Sequence, residues 1–297
     1  GKCQKCPTNT LLLVIGIALA LVFGCAGGYY LGKKNVNLGI IAIGIDYFQV
    51  LSIFANTQAE WPSAILDIYN ILSLFSFNLN ITAPECFLTV GYEYKWFFVE
   101  SMPLFMLICV LMLHYGTHAY KRFVRNAGGA QVTDHSHQMV GLALTSMYMV
   151  YLYISETSLD VFNCGQVISE TGVSDGKWYM NSEPNEVCYE EGSMQAMLQP
   201  WAIITTLVYS LGYPLLILLL LFKPENRKLI RQDQLLRACG TGDTLENNPF
   251  CFYFRKRYGR LYYNFKPVYW YWILLTIMRK FCIVSAALIF RENPTFQ

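Results

Sequence analysis

The sequence predicts an all-α, polytopic transmembrane helix bundle with about six spans, a short re-entrant or interfacial helix and small disulfide-bonded outer loops. Hydrophobic residues make up 54% of the 297-residue chain and charged residues only 14%, whereas about 25% is usual in soluble domains. Apolar segments of roughly 20 residues, enough to cross the hydrocarbon core, recur along the chain. Most of the 22 lysine and arginine residues lie in the loops on one side of these segments, which the positive-inside rule assigns to the cytoplasm.

Residues 1–10 carry a CxxC pair, Cys3 and Cys6, directly before the first predicted span at 11–32. A redox or zinc site is one interpretation of CxxC, but a lone pair without a second one favours a disulfide. The apolar segment also fits a signal peptide, although its length and the cysteines ahead of it favour a true span. A short basic turn then sends the second span, 38–56, back toward the outer side.

The second span contains Asp46 and Gln49, which lie three residues apart on one helical face. On insertion scales an isolated charge in mid-membrane costs about 2.5 to 3.5 kcal/mol, so Asp46 must be neutral, paired or hydrated. Arg279 or Lys280 is the candidate partner, because these bases lie well inside the sixth span. A hydrogen bond from neighbouring hydroxyls to Asp46 is the alternative.

A short helix is predicted at 63–77, after Pro62. Its roughly 15 residues reach only about 22 Å at about 1.5 Å per residue, against about 30 Å of hydrocarbon. This segment is therefore expected to be re-entrant or interfacial. Asn80 opens a glycosylation sequon in the following loop, which would be extracellular if the sequon is used. Cys86 lies in the same loop, and Cys3 or Cys6 is its candidate disulfide partner.

The third and fourth spans are predicted at 96–118 and 138–156. His114 and His118 lie four residues apart on one face near the basic end of the third span. A metal pair is one interpretation of them. Interfacial histidines are the simpler one, because no matching carboxylate or cysteine is evident, and no metal site is predicted.

An acidic loop follows the fourth span and carries Cys164 and Cys188. Two cysteines that flank a polar loop in an oxidising compartment are expected to close it as a disulfide. A calcium site in this loop is the alternative, although the spacing of an EF-hand is absent.

The fifth span is predicted at 198–222, with a kink at Pro214 because proline lacks a backbone donor. The basic segment 223–267 is predicted to be cytoplasmic. Its interleaved aromatic residues are compatible with stacking on single-stranded nucleic acid, but a position on an anionic leaflet is favoured. The sixth span, 269–290, lacks the repeated arginines of a voltage sensor. Its paired bases at 279 and 280 instead contact an acid or mark the bend of an interfacial helix.

Several segments carry a family resemblance: GKCQKCPTNT, FQVLSIF with the following WPSAILDIYNILSLFSFNLNITAPEC, and FRKRYGRLYYNFKPVYWYWILLTIMRKF. They resemble large multi-pass membrane proteins of microbial eukaryotes, in which ephrin-receptor-like cysteine-rich repeats precede a transient-receptor-potential-like helical domain. The resemblance implies that the chain is a fragment. Residues 1–10 would end the extracellular repeat region, and 11–297 would form the transmembrane domain. A selectivity filter is not recognisable.

Three functions are compatible with these features, and none of them is enzymatic, since no catalytic motif or cofactor signature is found. The first is a channel-like or sensory membrane module. The alternatives are a non-conducting anchor for an extracellular cysteine-rich assembly and a seven-helix receptor. The expected partners are membrane lipids, proteins that bind the upstream ectodomain, and an ion, but not nucleic acid. The expected location is the plasma or ciliary membrane, with the amino terminus extracellular.

Overall fold

The computed structural model describes residues 43–44, 46–51, 62, 91–123, 129–168, 174–241 and 244–289. The following predictions lie outside the described residues: the span 11–32 and most of 38–56, the short helix 63–77, the sequon at Asn80, and the cysteines Cys3, Cys6 and Cys86. They stay predictions.

The chain divides into two compact units, one of Gly1–Phe97 with Phe290–Gln297 and one of Phe98–Ile289. In the first unit, residues 43–44 and 46–51 are helical. Asp46 and Gln49 are buried there, while Ile43 and Tyr47 are exposed. The polar side of this helix is therefore its protected side.

Two long helices cover the third and fourth predicted spans. Helix α1 is Tyr92–Phe123 and helix α2 is Gly129–Asp160. Helix α1 exposes large apolar side chains along most of its length, whereas α2 is lined by buried residues from Val150 onward. An apolar exterior of this kind is what lipid tails solvate.

The fifth predicted span is continuous from Met194 to Phe222 but changes its helical pitch. Helix α3, Met194–Thr205, is capped by the Ser193 hydroxyl, which accepts from the Ala196 amide. A π-helical turn, Thr206–Leu211, follows, and helix α4, Gly212–Phe222, completes the segment.

The carboxy-terminal part of the described chain has three helices and a short connector. Helix α5 is Pro224–Ala238 and starts with proline, which suits the first turn of a helix. Helix α6 is Phe252–Tyr262, a 3₁₀ turn covers Pro267–Tyr269, and helix α7 is Trp272–Ile289.

Four helical segments are long and apolar enough to cross a membrane: Tyr92–Tyr120, Ser136–Asp160, Met194–Phe222 and Trp272–Ile289. They correspond to the third to sixth predicted spans, and the described residues are mostly helical. The membrane-protein class is thereby supported, and the described part of the chain accounts for four of the six predicted spans.

The acidic loop departs from the all-α expectation by folding into a small antiparallel sheet. Strands β1, Cys164–Ile168, β2, Ser174–Met180, and β3, Glu183–Val187, are arranged in the order β1-β2-β3. Each strand forms ladder hydrogen bonds with its sequence neighbour, and a tight turn at residues 181–182 connects β2 to β3. Their short length and polar composition concealed them in the sequence.

The disulfide predicted for this loop is confirmed, since Cys164 and Cys188 are bonded with their α-carbons 6.4 Å apart. Closing a loop of this length typically contributes about 3 kcal/mol. The β2–β3 turn is tied to the end of α2, because Ser182 donates to Asp160 and the Asn181 amide donates to Asn163 Oδ1 at 2.7 Å. The sheet is thus anchored directly to a helix that is long and apolar enough to cross a membrane.

The core of the second unit is shared by the spans and by α6. Leu261 and Tyr262 of α6 are buried with Tyr151, Ile217 and Ile277. Tyr262, one of the aromatic residues of this segment, is therefore buried in the core and not on a leaflet, while the position of the segment at the membrane stays a prediction. Leu261 and Tyr262 are buried because α6 packs against α2, whose apolar side chains cover this face of α6.

Candidate intramembrane polar site

Four polar side chains of α2 lie on a single helical face. Tyr148, Tyr151, Ser155 and Ser158 are separated by three, four and three residues, so successive members stack along the helix. At about 1.5 Å per residue they extend over about 15 Å, roughly half of the hydrocarbon thickness. We call these four residues the α2 polar face, and each of them contacts a polar or charged group of another element.

At one end of the α2 polar face lies Glu100 of α1, whose residue surface is only 5% exposed. The Ser158 hydroxyl donates to Glu100 Oε1 at 2.9 Å, and Ser158 Oγ lies 3.0 Å from Thr205 Oγ1. Thr205 Oγ1 also lies 3.2 Å from the Ala202 carbonyl, to which it can donate. Among the described residues, Glu100 Oε2 has no hydrogen-bond partner. A carboxylate therefore sits among neutral hydroxyls inside a set of membrane-type helices.

The middle of the α2 polar face meets the π-helical turn. The Ser210 hydroxyl donates to Ser155 Oγ at 2.9 Å, and the Tyr151 hydroxyl donates to the Ser210 carbonyl at 2.8 Å. In an α-helix that carbonyl would accept from residue 214, which is proline and has no N–H. The predicted effect of Pro214 is thus seen as a local change of pitch and a carbonyl that a neighbouring helix satisfies. Turns of this kind are frequent at functional sites.

Replacing Tyr151 by phenylalanine should leave the Ser210 carbonyl buried without its donor. We expect the free energy of unfolding to fall by about 1 to 3 kcal/mol. In a Pro214→Ala background, which restores a backbone N–H, the same replacement should cost less. Thermal unfolding in nanodiscs measures both costs, with Tyr115→Phe on the exposed side of α1 as the control. Equal costs in the two backgrounds would contradict this role for Tyr151.

At the other end of the α2 polar face lies Lys280 of α7. Lys280 is fully buried, and its Nζ lies 4.0 Å from the centre of the Tyr148 ring. An ammonium over an aromatic face is stabilised by the ring quadrupole, the more so where water is excluded. Helix α7 runs without interruption through Arg279 and Lys280, so these bases do not mark a break in the helix. Pairing of Asp46 with either base stays a prediction.

A second buried polar cluster joins α5 and α6 outside the spans. Asp233 of α5 accepts from Asn248 Nδ2 at 2.8 Å and from the Tyr262 hydroxyl at 2.9 Å, and Arg255 Nε lies 3.9 Å away. Burial, together with the neighbouring Asp233 carboxylate, raises the pKa of Tyr262, so its hydroxyl stays a donor. Because every contact of this cluster joins parts of the same segment, it acts as a structural clamp.

The other candidate sites have fewer interacting polar groups among the described residues. The rings of His114 and His118 lie 6.2 Å apart, and the described part of the chain contains no group of three metal-binding side chains. Of the predicted site residues, the structure places Lys280 at the α2 polar face, and Arg279 lies on the exposed side of the same helix. Asp46 and Gln49 belong to the other unit.

Glu100 is the functional candidate that sequence reasoning missed. It lies four residues after Trp96, inside the predicted third span, and an ionisable residue within a span is by default a candidate functional residue. The neighbouring aromatic residues concealed it, because they marked this end of the helix as an interfacial anchor.

Models of known protein families, curated proteins and solved structures contain no match for this chain.

Proposed function

We propose that this chain is an integral membrane module of the channel-like or sensory kind, in which the α2 polar face is the functional element. The observation that carries the proposal is the burial of Glu100 among hydroxyl groups of α2 and of the Met194–Phe222 span. Charged groups are costly within the hydrocarbon and mark ion paths, proton relays or sensors in membrane proteins.

The distribution of polarity on the helices supports this proposal. Phe105 and Met112 of α1 and Leu219 of α4 are exposed, whereas Glu100 and Lys280 are buried. At these positions the helices present apolar side chains outward and ionisable ones inward, whereas Arg279 lies on the exposed side of α7. A membrane anchor needs only the outward pattern, because helices can bury one another through apolar contacts alone.

The proposal includes the orientation expected from the charge distribution. The amino terminus and the disulfide-bonded sheet would lie on the extracellular side of a plasma or ciliary membrane, with α5 and α6 cytoplasmic. The transient-receptor-potential-like resemblance and its upstream cysteine-rich ectodomain agree with such a module. The non-conducting anchor remains the alternative, and the disulfide-bonded sheet at the end of α2 is the feature that favours it.

Current recordings in planar lipid bilayers test the proposal. Purified wild-type protein should pass a cation current under an ion gradient. Glu100→Gln, which keeps the shape and removes the charge, should reduce that current by about tenfold, the effect of losing about 1.4 kcal/mol of stabilisation. Glu225→Gln changes a surface carboxylate that pairs with Lys223 at 2.9 Å and is the matched control.

Two results would contradict the proposal, the first for conduction and the second for the role of the α2 polar face. The absence of current from correctly folded wild-type protein would favour the anchor. A current that is the same in wild type and Glu100→Gln would remove the α2 polar face from the conduction path.

A further inference from the structure

We infer that Glu100, Ser158 and Thr205 form an intramembrane site for one monovalent cation, for which Na⁺ and H⁺ compete. This inference rests on the proposed function, because it assigns the ion to which the membrane module responds. The site lies where α1, the α2 polar face and the end of α3 meet, and its three oxygen-bearing side chains come from three separate helices.

The net charge of the site favours a monovalent cation over a divalent one. Among the side chains that contact Glu100 in the described part of the chain, Ser158 and Thr205 are neutral hydroxyls. Tyr209, on the π-helical turn, is a titratable group within electrostatic range, and it too is neutral when protonated. One carboxylate is neutralised by one monovalent cation, whereas a divalent ion would leave a net charge in an apolar environment.

The hydrogen bonds of the site leave Glu100 Oε2 available to bind that cation. Ser158 donates to Glu100 Oε1, while Glu100 Oε2 is buried and has no partner among the described residues. A buried carboxylate oxygen without a hydrogen-bond partner destabilises the charged form. Either a proton on Oε2 or a Na⁺ ion beside it neutralises the carboxylate, so the two cations exclude each other.

The hydroxyl groups suit the same ligand. Carboxylate and other oxygen donors bind hard cations, and helix ends and irregular helical turns supply such donors in membrane transport proteins. Thr205 is the last residue of α3 and directly precedes the π-helical turn, whose Thr206 hydroxyl is also buried without a partner among the described residues. The Thr205 hydroxyl at this helix end lies 3.0 Å from Ser158 Oγ and therefore belongs to the same polar cluster as the carboxylate.

Thermal unfolding of the whole chain in nanodiscs, at constant ionic strength with Na⁺ replacing N-methyl-D-glucamine, tests the site. Near neutral pH, Na⁺ should raise the melting temperature of the wild type saturably, because a ligand of the folded state stabilises it by mass action. The rise should shrink as the pH is lowered and H⁺ occupies Oε2. Ser158→Ala removes one of the oxygen ligands and should weaken the apparent Na⁺ affinity by about tenfold, which corresponds to about 1.4 kcal/mol.

Glu100→Gln should fold, since it is neutral and of the same shape, and should show no Na⁺ response. Glu225→Gln should respond like the wild type. An infrared carboxyl band that titrates with pH in the wild type, moves to lower pH in Na⁺, and is lost in Glu100→Gln would report the same site without reference to stability.

A wild type that shows no Na⁺-dependent shift, or a shift that persists in Glu100→Gln, overturns the site. A pH-dependent carboxyl band that Na⁺ leaves unmoved also overturns the competition between the two ions. Failure of conduction is a separate outcome, because a protein that binds Na⁺ at Glu100 but passes no current retains the site and loses only the proposed channel activity.

Discussion

Asp233→Ala should destabilise the folded protein by about 3 to 5 kcal/mol, the range for removing one partner of a buried charged cluster. Asp233 is almost fully buried and accepts from Asn248 and Tyr262. Its loss leaves both donors buried without this acceptor and takes the carboxylate from beside Arg255. Since Tyr262 belongs to the shared core, we expect the docking of α6 on the spans to weaken as well. Urea unfolding of the protein in micelles measures the change.

Glu225→Ala on the same helix is the matched control. Glu225 pairs with Lys223 at the protein surface, and exposed pairs of this kind contribute little to stability. We expect no measurable change from this replacement. If Asp233→Ala were tolerated equally well, the cluster would not be holding α5 to α6.

Gly141→Leu should also be strongly destabilising, because α6 approaches α2 closely at this glycine. A β-carbon at Gly141 would lie 3.1 Å from the Lys256 carbonyl oxygen and 3.2 Å from that of Arg257. Both atoms are backbone, so a larger side chain must displace α6. Overpacking typically costs about 1 to 3 kcal/mol, and the shift would also disturb the bond from Arg257 Nε to His137 Nδ1, which is 3.0 Å long.

Gly116→Leu on α1 is the control for the change of residue type. A β-carbon at Gly116 meets no atom within 4 Å, and leucine is a better helix former than glycine. This variant should be as stable as the wild type or slightly more stable in thermal unfolding. An equal loss of stability in the two variants, or no loss in Gly141→Leu, would mean that the close contact between α2 and α6 does not determine the effect at Gly141.

The spans could be predicted because the bilayer imposes a local rule on the sequence. The apolar segments at 96–118, 138–156 and 198–222 are helical, as is Trp272–Ile289 within 269–290, since hydrocarbon leaves no other partner for backbone groups. The disulfide was predictable from two cysteines that flank one loop. The helices Tyr92–Phe123 and Gly129–Asp160 extend beyond the predicted spans. The spans were predicted from apolar composition, whereas the ends of these helices are more polar.

The candidate site was less predictable, because it depends on contacts between distant parts of the chain. Ser158 lies 58 residues from Glu100 and 47 from Thr205 in the sequence. The sequence around each of these residues does not indicate that the other two lie nearby. The same applies to Tyr262, since basic and aromatic residues in α6 suit an interfacial helix as well as one that is packed in a core. Only the fold distinguishes the two environments.

Cross-linking of Ser158→Cys with Thr205→Cys tests most directly whether the spans meet in a polar cluster at Glu100. The two hydroxyl oxygens lie 3.0 Å apart, and a disulfide forms when the α-carbons are within about 7 Å. In protein retaining only Cys164 and Cys188 of its native cysteines, this pair should bridge rapidly under mild oxidation in the membrane. Ser158→Cys with Ile204→Cys should bridge slowly, because Ile204 is 51% exposed on the apolar exterior. Slow bridging of the first pair, or equal rates for the two pairs in folded protein, would contradict the polar cluster.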